Sequence, residues 1–271
     1  PEGCVGRCLR PHLGRHWRGP STGALHTCKP GRRACFDFHT PLERSGQGVT
    51  LGRIAPDRFI PIAEETGLIL AIGDWVLHRA IEQAAAWQRA GLPPLRMAVN
   101  LSARQLLQPD LARRIEGLLA ATGLDPRLFA VEVTESMLIA NFDQAVQHLR
   151  ALRALGVEVS LDDFGTGYSS LSYLAEMTFD KIKIDRSFVR DLPDDDDDRV
   201  LVRAVVQLAS AMGLKVVAEG VETPAQQAFL CETGCDVLQG YLISRPQPSE
   251  GFTAFALGNQ HKLPELEATP A

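Results

Sequence analysis

Residues 157–189 read VEVSLDDFGTGYSSLSYLAEMTFDKIKIDRSFV, and the fold is decided here. Val157–Leu161 is a predicted strand. Gly165 and Gly167 mark a turn, a short helix is predicted near Ser169–Leu174, and Lys181–Ile184 is the next predicted strand. Strand, helix and strand in that order form a βαβ unit, which sets its two strands in parallel.

The same alternation extends both ways. Towards the N-terminus, Leu68, Ile72, Trp75, Val76, Ile81 and Trp87 make the apolar stripe of a helix predicted over Thr66–Ala90, stopped by Gly91-Leu-Pro-Pro. Leu95–Asn100 reads as a strand, Pro109–Ala121 as a helix and Leu128–Thr134 as a strand. Phe142–Leu155 reads as a helix ended by Gly156. Towards the C-terminus, a helix over Asp198–Met212 ends at Gly213, with Asp194–Asp198 read as its solvated cap. A strand over Leu214–Ala218 and a helix over Pro224–Glu232 follow. Val237–Leu238 with Tyr241–Ile243 form a last strand region, and Phe252–Leu257 a closing helix. Six strands alternating with amphipathic helices predict an α/β protein, a (β/α)8 TIM-like barrel, with an open doubly wound sheet as the alternative. No Gly-x-Gly-x-x-Gly follows the first strand, which weakens that alternative.

Composition breaks near residue 51. The chain has 271 residues, 45% of them apolar, and a formal charge of −5, but residues 1–50 carry +5 and the remainder −10. The first 50 residues also hold four of the six Cys and four of the seven His, with 8 Gly and 5 Pro. Apolar residues fall singly there, so little surface can be buried to offset ordering entropy. Cys4, Cys8, His12 and His16 recur every four residues, as a zinc site on one helical face would require. That spacing is not the usual zinc pattern, and Pro11 and Gly14 interrupt the helix. Residues 1–51 therefore read as an atypical, disordered or out-of-frame segment, 52–257 as the barrel domain and 258–271 as a tail. Cys231 and Cys235 read as reduced small hydrophobes. No apolar run reaches the roughly 18 residues of a membrane span, and no secretory pattern is visible. A cytoplasmic location without membrane insertion is expected, and the net charge gives no pull towards nucleic acid.

Acids gather where the strands end. Asn100 closes one strand, Glu132 and Glu135 lie near the end of the next, and Asp162-Asp163 closes the third. Lys183 and Asp185 flank the end of the fourth, Glu219 and Glu222 follow the fifth, and Gln239 follows the sixth. In a barrel these ends share the rim that carries active sites. Converging carboxylates need a cation, and hard oxygen donors without Cys or His suit Mg²⁺ or Mn²⁺. Two such ions would activate a water against a phosphoester, with Lys183 orienting or deprotonating that water. A simpler role is open for Asp185, which also suits a helix cap before Arg186-Ser-Phe.

The segments DDFGTGYSSLSYL (162–174), DKIKIDRSFV (180–189), VVAEGVET (216–223) and GCDVLQGYLISRP (234–246) strongly resemble the EAL-domain family, phosphodiesterases that linearise cyclic di-GMP. FIPIAEETGLI (59–69), AVNLSARQL (98–106) and VEVTES (131–136) extend the match from about residue 52 to 255. The resemblance implies an EAL-type (β/α)8 barrel whose first strand runs antiparallel to the rest, with two Mg²⁺ or Mn²⁺ ions. It implies metal ligands at Asn100, Glu132, Asp162, Asp163 and Glu219, and catalytic roles for Lys183, Asp163 and Glu219. Asp185 would support that site. Glu135 would anchor the 162–174 loop, through which two copies would pair. Glu222 and Gln239 would line the substrate and metal region, and Tyr241 and Pro246 would lie near a guanine, with Ile243 where an aromatic is common. The departure is at the front, where the family's Glu-Ala-Leu is missing. Its Glu would fall near residue 41, where the chain reads Thr40-Pro41-Leu42-Glu43-Arg44. Pro41 spoils a central strand, leaving Glu43 a poor stand-in. The first-strand region is thus degenerate, the first metal position weakened and turnover impaired. The alternative is a non-catalytic module on the same scaffold that binds cyclic di-GMP or a protein partner.

Overall fold

The computed structural model describes residues 22–23, 35–37, 56–166 and 179–258. Seven strands form one parallel sheet in sequence order: β2 (Cys35–Asp37), β3 (Arg96–Asn100), β4 (Phe129–Thr134), β5 (Glu158–Phe164), β6 (Lys181–Ile184), β7 (Lys215–Ala218) and β8 (Val237–Leu238). The sheet curls into the expected barrel-type architecture. Residues of β3 and β8, near its two ends, line one small internal cavity together with β4, β5, β6 and β7. Among the described residues no ladder joins β8 back to β2. A separate antiparallel pair is made by β1 (Thr22–Gly23) and β9 (Gln247–Pro248).

The six strands read from the sequence between residues 95 and 238 are all present. Their apolar runs are buried on both faces, as a helix-covered parallel sheet requires, and Val99, Val131, Val159, Ile182 and Val216 lie in the core. β2 adds a seventh strand from the segment that showed no periodicity. Cys35, Phe36 and Asp37 stand opposite Arg96, Met97 and Ala98, in parallel. The antiparallel strand among the described residues is β1, outside this sheet. Thr40–Arg44, the Cys4/Cys8/His12/His16 set, Gly167 and the helix expected near Ser169–Leu174 all lie outside the described residues.

The helix expected over Thr66–Ala90 is present as Leu68–Arg89 (α2), and a further helix that the sequence reading did not include, Pro56–Glu65 (α1), precedes it. They break at Gly67, whose φ of 75° a helix cannot continue through. α3 (Ala103–Leu106) is closed by a capping box in which Gln105 N–H donates to Ser102 Oγ and Ser102 N–H to Gln105 Oε1. α4 (Leu111–Thr122), α5 (Glu135–Ala140) and α6 (Phe142–Ala154) follow. α7 (Asp196–Ala211) starts from the acidic run, where Asp195 accepts from the Asp198 N–H as the predicted cap. α8 (Pro224–Thr233) is boxed by Thr223 and Gln226. α9 (Ser249–Gly258) is fastened to α2 where Trp87 Nε1 donates to Thr253 Oγ1 at 3.0 Å and the Trp87 and Phe252 rings stack at 4.8 Å.

Tyr241–Ile243 is not strand. The chain leaves the sheet after Leu238 and turns, with the Ile243 and Ser244 N–H groups donating to Gly240 O and Leu242 N–H to Val221 O. Cys235 is fully buried and Cys231 half-buried. Burial pushes the Cys235 thiol up to about 12, so it behaves as a small hydrophobe.

Candidate active site

Period-two alternation aims charged side chains into the barrel. In Lys181-Ile182-Lys183-Ile184 both lysines face the cavity and both isoleucines pack outward. In β5, Glu158 and Ser160 line that same cavity. Glu132 joins them from β4, directly opposite Ser160 in register.

Four of the predicted residues meet at one atom. Lys183 Nζ lies 2.7 Å from Glu219 Oε1, 2.8 Å from Glu132 Oε2 and 3.2 Å from Asp162 Oδ1. Lys183 and Glu132 are each only 4% exposed, so water screens these contacts little. Glu219 reaches the cluster because its N–H continues the ladder to Ile184 O, one residue past β7. The sequence called for a cation among these acids. Within the described residues it is Lys183, and no group of three acids, cysteines or histidines is arrayed there as a ready metal cluster.

Asp163 adjoins the cluster through an irregular strand. The β5–β6 register shifts between Leu161 and Phe164, and Asp163 takes a left-handed φ of 54°. Its N–H donates to Asp162 Oδ1 at 3.1 Å. Burial, followed by the charges of Asp162 and Asp185, holds its carboxyl above the ordinary value. Asn100 stands opposite Glu132 in register, at the exposed end of β3. Gln239 lines the cavity with Glu132 and Lys183, and its buried Oε1 has no hydrogen-bond partner among the described residues.

The other predicted residues sit around the rim. Asp185 caps the 3₁₀ turn Arg186–Phe188, accepting from Ser187 N–H at 2.9 Å and Ser187 Oγ at 2.5 Å. Burial opposes ionisation there, but these bonds, with the Arg186 N–H and guanidinium, win and leave its carboxyl below the ordinary value. Glu135 opens α5 just beyond β4. Glu222 is exposed, and its backbone N–H donates to Gln226 Oε1. Tyr241 is 52% exposed, with the Arg245 guanidinium over its ring at 4.5 Å. Pro246 and Glu222 are both exposed, and neither is brought into the Lys183 cluster. At Gly220 an added Cβ would lie 2.6 Å from Arg186 Cβ, so only glycine lets the rim loops after β6 and β7 come this close.

A second ionic group, missed in the sequence, lies deeper. Glu158 binds Lys181 Nζ at 2.6 Å and the Arg96 guanidinium at 2.5 Å. Burial opposes its charge, yet those two cations hold its carboxyl below the ordinary range. The signal was the alternation of Lys181 with Lys183 and of Glu158 with Ser160 and Asp162, which fixes one shared face.

The carboxylate oxygens of Glu132, Asp162 and Glu219 are the hard donors that suit a hard divalent cation, and here each is turned on Lys183. Among the described residues no helix is long and apolar enough to cross a membrane.

Comparison with known proteins agrees with this geometry. The family model described as EAL domain matches residues 46–246. An uncharacterized signaling protein of Caulobacter vibrioides is 50% identical over 204 residues, 75% of this chain and 25% of that protein. The bifunctional diguanylate cyclase/cyclic di-GMP phosphodiesterase MucR of Pseudomonas aeruginosa is 46% identical over 203 residues, 75% of this chain and 30% of that protein. The chain thus spans about a quarter to a third of the length of these relatives. A solved structure described as PaMucR phosphodiesterase in a c-di-GMP complex superposes with a TM-score of 0.79 at 40% identity, covering 86% of this chain and 93% of that one.

Proposed function

The chain belongs to the EAL-domain family, and from that premise we propose that it binds cyclic di-GMP at the C-terminal rim of the sheet and hydrolyses one phosphodiester to linear pGpG. The observation that carries this reading is the convergence of Glu132, Asp162 and Glu219 on Lys183. Likeness to proteins described as cyclic di-GMP phosphodiesterases supports the substrate.

Asn100, Glu132, Asp162, Asp163 and Glu219 would hold two Mg²⁺ or Mn²⁺ ions. When bound, two such ions acidify a water and offset charge on the phosphate. Lys183 would orient the attacking water and face the negative charge developing on the phosphoryl oxygens. Asp185, by capping its turn, fixes the loop after β6. Glu135 anchors the 162–174 region, and two copies pair through that region. Gln239 and Glu222 line the substrate region, while Tyr241 and Pro246 take a guanine. Ile243 there gives weaker stacking than an aromatic would. The division into residues 1–51, 52–257 and 258–271 and a cytoplasmic setting belong to the same reading.

Turnover is low in this chain because the family's Glu-Ala-Leu is missing, the chain reading Thr40-Pro41-Leu42-Glu43-Arg44 where its Glu would fall. The same departure favours a second reading, a module that binds cyclic di-GMP without cutting it. Incubation with cyclic di-GMP and Mn²⁺, read by chromatography of pGpG, separates the two. The expected result is slow product release, at least tenfold below a chimera whose first 51 residues supply a Glu-Ala-Leu strand. Binding without product supports the second reading. Absence of binding and of product in both chains overturns both.

A further inference from the structure

We propose that Arg245 reads one guanine of the substrate along its O6 and N7 edge, held in place by the Tyr241 ring. The inference rests on the cyclic di-GMP reading of the rim for the presence of a guanine. It goes beyond that reading in naming the side chain that tells guanine from adenine.

Placement comes from the chain after β8. Gln239 lines the cavity with Lys183 and Glu132, so the residues that follow leave the sheet at the rim of the same site. Gly240 lies so close to Val221 that an added Cβ would collide with the Val221 backbone, and Val221 is two residues past Glu219. The Leu242 N–H donates to Val221 O at 3.0 Å, and the Ile243 and Ser244 N–H groups donate to Gly240 O at 3.1 and 3.2 Å. Beyond the turn, Gln247 and Pro248 pair with Gly23 and Thr22. Arg245 is thus carried on a segment fastened at both ends, beside the loop that bears Glu219.

Its side chain has a settled place and open donors. The guanidinium lies over the Tyr241 ring, 4.5 Å from its centre, and both side chains are exposed. Among the described residues it makes no hydrogen bond or ion pair besides this contact. Stacking holds the planar fork in advance, so less freedom is lost when it binds. Guanine offers two acceptors side by side, O6 and N7, on an edge that its ribose link leaves free, and a guanidinium meets both at once. Adenine offers an N6–H2 donor where guanine has O6, and arginine has no acceptor for it.

The test is calorimetric titration of the full chain with cyclic di-GMP and with its 7-deazaguanine analogue, in which carbon replaces N7 and O6 is kept. Mg²⁺ is present, product is checked by chromatography and folding by circular dichroism. Arg245→Ala is expected to weaken cyclic di-GMP binding about tenfold. The unmodified chain is expected to bind the analogue about fivefold more weakly than cyclic di-GMP, and Arg245→Ala to lose most of that difference. Arg245→Lys keeps the charge without the fork and is expected to remain at least about threefold weaker than the unmodified chain. Folded Arg245→Ala that binds cyclic di-GMP as tightly as the unmodified chain overturns the proposal, as does one that discriminates against the analogue by an undiminished factor. In either case binding by the unmodified chain leaves the cyclic di-GMP reading intact. Full recovery by Arg245→Lys reduces the residue to a point charge and overturns base reading. Absence of cyclic di-GMP binding by the unmodified chain overturns the reading of the rim and the proposal together.

Discussion

Two buried ionic groups stack inside one barrel and are built on opposite accounts of charge. In the lower one a single carboxylate, Glu158, lies between Lys181 and Arg96. In the upper one a single ammonium, Lys183, lies among Glu132, Asp162 and Glu219. The two lysines are separated by one isoleucine on β6. The upper group crowds three carboxylates on one ammonium and opens on the rim. A buried charge enclosed by opposite charges serves structure, whereas like charges crowded at an open rim point to binding.

The largest effect expected from breaking this contrast is at Glu158→Ala. It strands two buried cations and should cost about 3–5 kcal/mol in urea unfolding. Asp162→Asn in the upper group should do the reverse. Stability of the metal-free chain should hold or rise, since repulsion between neighbouring carboxylates is relieved, while any phosphodiesterase turnover falls by about 100-fold or more. A similar stability loss for both variants would erase the distinction.

Acidity sharpens the comparison further. The Glu158 carboxyl is held below its ordinary value in the folded chain. Its stabilisation is therefore fully present above the unfolded value of about 4.3 and is lost as pH falls through the lower folded value. Thermal unfolding between neutral and acid pH should show this limb, and Glu158→Gln should flatten it. The smallest effect is at the rim, where Asp185→Ala removes a cap and should cost about 1 kcal/mol. A loss several times larger would mean that Asp185 does more than close its turn.

The upper group was legible in the sequence because acids at the ends of predicted strands have few structural duties. The strands were legible because a sheet covered on both faces demands continuous apolar runs. The lower group was not, because Arg96, Glu158 and Lys181 are each the first residue of a strand, where a charged residue is ordinarily assumed to be wet. Only the two-residue period reveals that they point inward. α1 was missed for a different reason: Ile60 and Ile62 are exposed, so its apolar residues mark no single buried stripe, and Pro61 lies within it. β2 has three residues and no pattern of its own, and pairing with β3 alone makes it a strand. Tyr241–Ile243 looked like strand by composition, yet the backbone of Val221 takes the chain into a turn there.

The left-handed backbone at Asp163 has a consequence for anyone engineering this molecule. Glycine adopts that conformation without the steric penalty an L side chain meets, a difference on the order of 1 kcal/mol. Random libraries screened only for survival after heating should therefore enrich Asp163→Gly. The survivors would be sturdier molecules that had given up a carboxylate from the rim, so endurance and chemistry pull this one position in opposite directions.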